Sequence, residues 1–273
     1  MIFFGDDVEL VSGTSATISQ DVFCVGGFGI KSIDSIQKVE RIIELVKSNY
    51  DIPPYLPLKW NMKDTKLEQL YKEKGKEKLL AKVRQQSASI RTEIMAKLPP
   101  LGIRVIVAST RNLKTWLRNQ PKNQLYEWGF TALLQRFGMA SKGDPQSFII
   151  LDWESDRRDI YCKTYQNGYY KGTGRTGELY LSGPLQNIPA IPYLSFSVTA
   201  YNPILQLADL IVGYAGALIE WCYARKNERV VKELFPYMNQ CFDKSPSGEI
   251  LGWGLVIQPK TDKPIIWRKI KSL

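Results

Sequence analysis

The chain has 273 residues, with 37 Lys and Arg against 27 Asp and Glu for a formal net charge of +10, and it has no histidine. The lack of histidine excludes Ser-His-Asp and Cys-His catalysis and HExxH zinc sites, so hydrolysis would depend on carboxylates, Lys, Tyr, Cys or a metal with oxygen ligands, which favours Mg²⁺ or Mn²⁺. The basic balance suits an anionic partner such as nucleic acid or an acidic membrane surface, with a solubilising basic surface as the alternative.

The amino-terminal part of the chain is predicted to contain two strands and a helix. Residues 1–4 are a short apolar run that meets polar surface at Asp6 and Asp7, and residues 21–28 form the second strand. Apolar side chains at helical spacing predict an amphipathic helix over residues 35–49.

The middle of the chain alternates helices with apolar strands. A charged helical pattern covers residues 64–97, and Gly75 kinks or splits it. An apolar strand at residues 103–108, a helix at residues 125–139 and a second apolar strand at residues 148–151 follow. Helices between apolar strands imply a sheet that is buried on both faces.

The last third begins with an excursion over residues 155–192 that is rich in Gly, Tyr and basic residues, followed by a strand at residues 193–197. Asn202 and Pro203 then start a helix that runs to about residue 221, with Asn as the cap and Pro in the first turn. The remaining predicted elements are a helix at residues 228–241 and an apolar β pair, residues 250–257 and 265–267, joined by a turn.

The cysteines and the first residues indicate the compartment. Cys24, Cys162, Cys222 and Cys241 form no CxxC pair, which predicts free thiols in a reducing environment instead of a disulfide framework or a zinc site. The opening MIFFGDD places acid after a very short apolar run, unlike a signal peptide. We therefore expect a cytoplasmic protein.

Three aspartates stand where the apolar pattern predicts burial or half-burial. Asp6 ends the first strand, Asp152 ends the strand FIIL, and Asp209 interrupts the apolar helix ILQLADLIVGYAGALI. An isolated buried carboxylate is strongly unfavourable unless it finds a partner, and Gln206, three residues before Asp209, could orient it. Salt bridges or caps could satisfy each aspartate separately. Three together favour one shared metal site at the carboxyl edge of a sheet.

The order of these motifs resembles a bacterial and archaeal group known as domain of unknown function family 3800. The matching pieces are Asp6-Asp7, Gly26-Gly27, Leu58-Lys59-Trp60, Ile150-Leu151-Asp152 and Gln206-Leu207-Ala208-Asp209. The resemblance implies an α/β, ribonuclease H-like fold with a mixed central sheet flanked by helices, insertions and a C-terminal helix plus β extension. We expect one domain over residues 1–273, with a core to about residue 222 and an extension over residues 223–273.

The same resemblance implies a divalent-metal-dependent nuclease, often in defence or mobile-element settings. Asp6, Asp152 and Asp209 would hold Mg²⁺ or Mn²⁺ and support two-metal hydrolysis of phosphodiester bonds in DNA or RNA. Lys59 would neutralise phosphate charge or pair with the carboxylates. The partners expected are nucleic acid and a regulatory protein, with no membrane.

Two more acidic side chains are candidate ligands. Asp6 and Asp7 point to opposite sides of a regular strand, so only one of them faces the site, and we favour Asp6. Glu154 lies two residues after Asp152 and on the same side. The alternative for Glu154 is a solvent-facing loop charge beside two arginines.

Basic residues outside these motifs are candidates for nucleic-acid contact. Lys74 and Lys78 belong to the charged helical segment, where a solvated helix surface is the alternative to a surface that tracks phosphates. Lys171 and Arg175 lie at a Gly-rich loop, where a plain flexible loop is the alternative to single-strand contact by stacking and charge. The GxGxxG letters of this loop lack the strand and helix of a dinucleotide site.

Two rival functions stay open at the level of sequence. Gly5 and the Val8-Glu9 pair depart from the pattern of the family around Asp6, which favours a catalytically inactive subunit that binds nucleic acid or takes part in an assembly. A metal-dependent phosphoesterase for small nucleotides is the other rival.

Overall fold

A computed structural model describes residues 1–10, 22–111, 122–153, 157–172, 184–224 and 226–273. The strands are β1 (Ile2–Leu10), β2 (Val22–Ile30), β3 (Arg104–Arg111), β4 (Phe148–Asp152), β5 (Ser195–Ser197) and β6 (Leu255–Gln258). The helices are α1 (Ile33–Asn49), α2 (Thr65–Glu73), α3 (Glu77–Ala96), α4 (Lys122–Ala140), α5 (Arg158–Tyr170), α6 (Pro203–Ala224), α7 (Glu228–Cys241) and α8 (Lys263–Ile270).

The described strands form one six-stranded mixed sheet in the order β5-β4-β1-β2-β3-β6. Strands β1, β2 and β3 pair in antiparallel fashion. Strand β4 runs parallel to β1, β5 runs parallel to β4, and β6 runs parallel to β3. The prediction of an α/β protein with a mixed central sheet flanked by helices is confirmed.

Helices cover both faces of the sheet, as the apolar strands predicted. One core contains Phe4 of β1 together with residues of α1, α3, α6 and α7, and the other contains Phe3 with residues of α4 and α5. Strand β2 lies at the centre and is buried along its whole length. Because side chains alternate along a strand, neighbouring residues of β1 enter opposite cores.

Paired glycines let the two central strands come close together. A Cβ on Gly27, which has a φ of +156°, would lie 1.9 Å from the carbonyl oxygen of Phe4. A Cβ on Gly26 would lie 2.4 Å from the carbonyl oxygen of Ile106. Side chains at these positions would push β2 away from both of its neighbours.

Helix α6 crosses the face of the sheet that carries Phe4, and it packs on β1 and β2. The predicted start at Asn202 is confirmed, since its side chain accepts hydrogen bonds from the backbone N–H groups of Ile204 and Leu205. Residues Pro203–Tyr223 are long and apolar enough to span a membrane, but 89% of that stretch is buried inside the fold. This burial is consistent with the core helix of a soluble protein.

Strand β1 is longer than predicted. It continues to Leu10, because β2 pairs with it up to the register Leu10–Val22. Asp6 and Asp7 therefore lie inside a strand, and the prediction that Asp6 ends the strand is wrong. The split of the charged helical segment at Gly75 is confirmed, with a φ of +63° between α2 and α3.

Two predicted segments differ from the structure. The excursion over residues 155–192 contains α5, which buries Tyr161, Thr164, Tyr165 and Gly168 at helical spacing but carries few aliphatic side chains on that face. Residues 265–267 are not a strand, because Pro264 stands in the first turn of α8 and favours a helix there. Strand β6 pairs with β3 instead, so the carboxyl-terminal segment supplies an edge of the central sheet.

Candidate functional site

Asp6 and Asp152 are neighbours on the face of the sheet that α6 covers. The parallel pairing of β1 and β4 ends at Gly5 and Leu151, so each aspartate comes one residue later. Phe4 and Ile150, two residues earlier, belong to the core on the α6 side. Since side chains two apart share a face and neighbouring strands lie about 4.8 Å apart, both carboxylates project toward α6.

Asp209 approaches the same region from α6. It interrupts a helix whose other inward residues, Leu205 and Val212 among them, are buried. The backbone N–H of Trp60 donates a hydrogen bond to its Oδ2 atom. Three different elements therefore bring one aspartate each to the junction of β1, β4 and α6.

The ionised forms of Asp6 and Asp209 are disfavoured at this junction, in part by the charge of Asp152. Burial, and then the charges of Asp209, Asp152 and Asp7, raise the pKa of Asp6 well above its usual value, although the backbone N–H of Asp7 partly stabilises its ionised form. Burial also raises the pKa of Asp209 to about 6, against the stabilising effects of the Trp60 N–H and of Lys59. Groups that disfavour one another's ionisation in this way concentrate at functional sites.

Lys59 is the cation at the edge of this cluster. Burial by itself would lower the pKa of its ammonium group, but the charges of Asp209 and Asp64, and then those of Asp6 and Asp152, raise it. Its Nζ atom lies 3.8 Å from a carboxylate oxygen of Asp64. Lys59 thus interacts with every member of the cluster and neutralises only part of the total charge.

Gln206 positions the backbone donors that hold two of the aspartates. Its side-chain oxygen accepts a hydrogen bond from the N–H of Leu58 at 3.1 Å, and its side-chain nitrogen donates to the carbonyl of Thr199 at 3.2 Å. The N–H of Thr199 in turn donates to Oδ1 of Asp152 at 2.7 Å. Gln206 therefore acts on the site through these two backbone segments, and it shows no direct bond to Asp209.

Trp60 is fixed against α6 and α3. Its side chain packs so closely on Gly213 that a Cβ there would lie 2.1 Å from the indole ring. The guanidinium of Arg91 lies 4.1 Å from the ring centroid and also donates to the Trp60 carbonyl. This clamp holds the N–H of Trp60 in position for Asp209.

Asp7 lies on the opposite face of the sheet, away from the cluster. It forms an ion pair with Arg157 and accepts a hydrogen bond from the hydroxyl of Tyr161. The expectation that Asp6 and Asp7 point to opposite sides is confirmed. The proposal of Asp7 as a metal ligand is therefore not compatible with its position.

The other predicted contact residues are not gathered at the cluster. Glu154 and Arg175 lie outside the described residues. Lys74 follows α2, and Lys78 lies in the first turn of α3. At a rise of about 1.5 Å per residue, Lys78 is about 20 Å along α3 from Arg91, the residue of that helix that contacts Trp60. Lys171 caps α5 on the other face of the sheet.

The donor set fits a hard divalent cation. All three aspartates offer oxygen, and the raised pKa of Asp6 shows that its negative charge is poorly compensated by the protein alone. Among the described residues, no three acidic or cysteine side chains are close enough to form a ready metal-binding group. Binding a metal would therefore require the carboxylate side chains to turn toward a common point.

Sequence reasoning missed Thr199 and Arg91 as supports of the site. Both act across long separations in the chain: Thr199 holds Asp152 from 47 positions away, and Arg91 holds Trp60 from 31 positions away. Neither lies in a motif, so no signal in the sequence pointed to them.

No family model, curated protein or solved structure matches this chain.

Proposed function

We propose that this protein is a cytoplasmic, divalent-metal-dependent nuclease with a ribonuclease H-like fold. The observation that carries the proposal is the convergence of Asp6, Asp152 and Asp209 from three elements, where burial and neighbouring carboxylates raise the pKa values of Asp6 and Asp209. The resemblance to domain of unknown function family 3800 supports it, and so does a defence or mobile-element setting within that resemblance. Nucleic acid is the substrate that matches the charge of +10.

The strand arrangement supports the finer fold assignment. Strands β1, β2 and β3 form antiparallel pairs, and the parallel strands β4 and β5 extend the sheet beside β1. Asp6 and Asp152 occupy the adjacent parallel strands β1 and β4 of this arrangement. Analogy at the level of the fold raises the weight of the nuclease proposal without identifying a substrate.

In the proposed reaction each residue has a defined task. Asp6, Asp152 and Asp209 would hold Mg²⁺ or Mn²⁺, which when bound activates water and stabilises the leaving oxygen of a phosphodiester. Lys59 would attract the scissile phosphate and balance the charge of the carboxylates. The N–H groups of Trp60 and Thr199 hold Asp209 and Asp152 in orientation.

The direct test is cleavage of labelled single- and double-stranded DNA and RNA by the purified protein with Mn²⁺, Mg²⁺ or EDTA. We expect metal-dependent cleavage that Asp152→Asn lowers at least a hundredfold, since the amide cannot replace a charged ligand. Asp159→Asn is the matched control, because the Asp159 side chain is 90% exposed on α5. Full activity of Asp152→Asn would refute the proposed role.

A catalytically inactive nucleic-acid-binding or assembly subunit is the second candidate. The departures at Gly5 and Val8-Glu9 beside Asp6 favour it. Tight, metal-independent binding of nucleic acid without turnover would select this candidate. Turnover of small nucleotides without binding of polymers would indicate a phosphoesterase instead.

A further inference from the structure

The side-chain hydroxyl of Thr199 is buried beside the proposed metal ligand Asp152. Thr199 is 2% exposed, and within the described part of the chain its Oγ1 atom has no hydrogen-bond partner. A buried hydroxyl without a partner costs free energy, so such a group calls for a physical explanation. The hydroxyl of Thr199 is a donor that the fold itself leaves unused.

The backbone of Thr199, in contrast, is bonded on both sides. Its N–H donates to Oδ1 of Asp152 at 2.7 Å. Its carbonyl accepts from the side-chain nitrogen of Gln206 at 3.2 Å and from the N–H of Asn202 at 3.3 Å. These bonds hold the residue in place, so the hydroxyl gains a partner only when its own side chain rotates or when a neighbouring group moves toward it.

Asp152 is the neighbouring group best placed to move in this way. In two of the three staggered rotamers of a threonine, Oγ1 lies about 3 Å from the nitrogen of the same residue. In Thr199 that nitrogen is already bonded to Asp152. A carboxylate has two oxygens and can accept several hydrogen bonds, so Asp152 can accept from the N–H and from the hydroxyl of the same threonine.

Metal binding provides the reason for such a movement. The acidic side chains of the described chain do not yet form a ready metal-binding group, so the carboxylate of Asp152 has to turn toward Asp6 and Asp209. Carboxylates that bind a metal are themselves held by hydrogen bonds from neighbouring groups, and these bonds fix the orientation of the ligand. A hydroxyl that is free until the carboxylate turns can supply such a bond.

We propose that Thr199 is a positioning residue of the metal centre, whose hydroxyl donates a hydrogen bond to Asp152 when that carboxylate turns to bind the divalent cation. This inference rests on the proposed metal-dependent function and names a further residue that sets its metal affinity. Without the cation the unpaired hydroxyl lowers stability, and with the cation it stabilises the ligand. The two effects have opposite signs, which makes the role measurable.

The test is Thr199→Val in the full-length protein, with Mn²⁺ affinity measured by calorimetry and stability measured by urea unfolding in EDTA. Valine keeps the shape of the side chain and the backbone N–H that bonds Asp152. We expect Mn²⁺ binding to weaken about ten- to a hundredfold. The urea midpoint in EDTA should equal or exceed that of the wild type, because an unpaired buried hydroxyl is removed. Thr199→Ser keeps the hydroxyl and should retain most of the Mn²⁺ affinity.

Thr110→Val is the matched control. Thr110 is also 2% exposed, and its Oγ1 atom likewise has no partner within the described part of the chain. It lies on β3 and faces α4, since Ile106 and Ala108 of the same strand belong to the core on that side. Thr110→Val should keep the urea midpoint at or above the wild-type value and leave Mn²⁺ affinity unchanged. An equal loss of Mn²⁺ affinity in both valine variants would overturn the proposal.

A double-mutant cycle identifies Asp152 as the partner. In Asp152→Asn an NH₂ group replaces one carboxylate oxygen and cannot accept the hydrogen bond. Thr199→Val should therefore weaken the remaining Mn²⁺ binding by less than about threefold in that background. A loss as large as in the wild-type background would show that the hydroxyl acts without Asp152, which would contradict the proposal.

The remaining outcomes separate this proposal from the proposed function. Wild-type protein that binds Mn²⁺, together with an unchanged affinity of Thr199→Val, would remove the role of Thr199 and leave the metal centre. Wild-type protein that binds no Mn²⁺ would remove the metal centre, and the role of Thr199 with it. A lower urea midpoint of Thr199→Val in EDTA would show that the hydroxyl is already bonded without metal, and that result would also overturn the proposal.

Discussion

Single residues in this fold carry charges that burial penalises, and the aspartate cluster is one such place. Burial disfavours the ionised forms of Asp6 and Asp209, and the charges of neighbouring carboxylates add to this penalty. A protein selected for stability alone gains nothing from this arrangement, whereas a cation-binding site needs it.

Lys47 is another residue whose charge is penalised by burial. Its side chain is 1% exposed, and its ammonium group donates to the carbonyl of Pro54 at 3.0 Å. Burial lowers its pKa from 10.5 to about 8, against a smaller opposing effect of Glu44. Between those two values the unfolded chain binds a proton that the folded chain has released. This group therefore makes folding more favourable as pH rises through that window, and below it the full penalty applies.

We predict that Lys47→Met stabilises the protein at pH 7 by about 1 to 2 kcal/mol and that the gain shrinks toward pH 10. Urea unfolding at the two pH values measures it. Lys38→Met, an exposed position on the same helix, should change little at either pH. A gain that does not depend on pH, or a loss at pH 7, would show that the charge of Lys47 is not the cause.

Between elements, Gln206 connects α6 to the extended segment at Leu58 and to the turn at Thr199. Its amide is buried, so both bonds are made away from water. We predict that Gln206→Leu costs about 2 to 3 kcal/mol, because it leaves the buried N–H of Leu58 without its partner and removes one of the two hydrogen bonds to the carbonyl of Thr199.

Hydrogen exchange distinguishes this positioning role from a general loss of stability. The amides of Leu58 and Trp60 should exchange faster in Gln206→Leu by more than the global loss accounts for. Gln240→Leu is the matched control, since its amide bonds an exposed carbonyl on α7. Unchanged protection at Leu58 would contradict the proposed role of Gln206.

The elements that sequence patterns predicted well are those with a clear apolar period or cap. Helix α7 has the predicted bounds, and α6 starts at its Asn202 cap. Helix α5 was missed because its buried face is built from Tyr, Thr and Gly, which give a weak apolar pattern. The end of β1 was missed because pairing with β2 carries polar residues into the strand.

The candidate site was predictable in its acidic residues and not in its supports. Asp6, Asp152 and Asp209 each interrupt or end an apolar segment, which is visible in one sequence. That Thr199 donates to Asp152, and that Arg91 clamps Trp60, depends on packing between distant segments. That Asp6 and Asp7 point to opposite faces of β1 followed from the alternation of side chains in a strand.

At the scale of the whole molecule, the carboxyl-terminal segment is part of the central sheet. Strand β6 forms the edge beside β3, the N–H of Val107 donates to the carbonyl of Gly254 at 2.8 Å, and α8 packs on α6. Removing residues 223–273 would expose apolar surface on β3 and on α6.

We therefore predict that residues 1–222 alone do not fold cooperatively. Thermal unfolding followed by circular dichroism should show a sharp transition for the full chain and for a chain ending at residue 270, and none for residues 1–222. A cooperative transition in the short chain would mean that the sheet is complete without β6.

The most direct test of the central claim, that three aspartates form one divalent-metal centre, is calorimetric titration of the metal-free protein with Mn²⁺. We predict that the wild type and Asp159→Asn bind Mn²⁺ with the same affinity and stoichiometry. Asp6→Asn, Asp152→Asn and Asp209→Asn should each weaken binding at least tenfold, because each removes a charged oxygen ligand. Equal Mn²⁺ binding by all five proteins, or by none of them, would contradict the account.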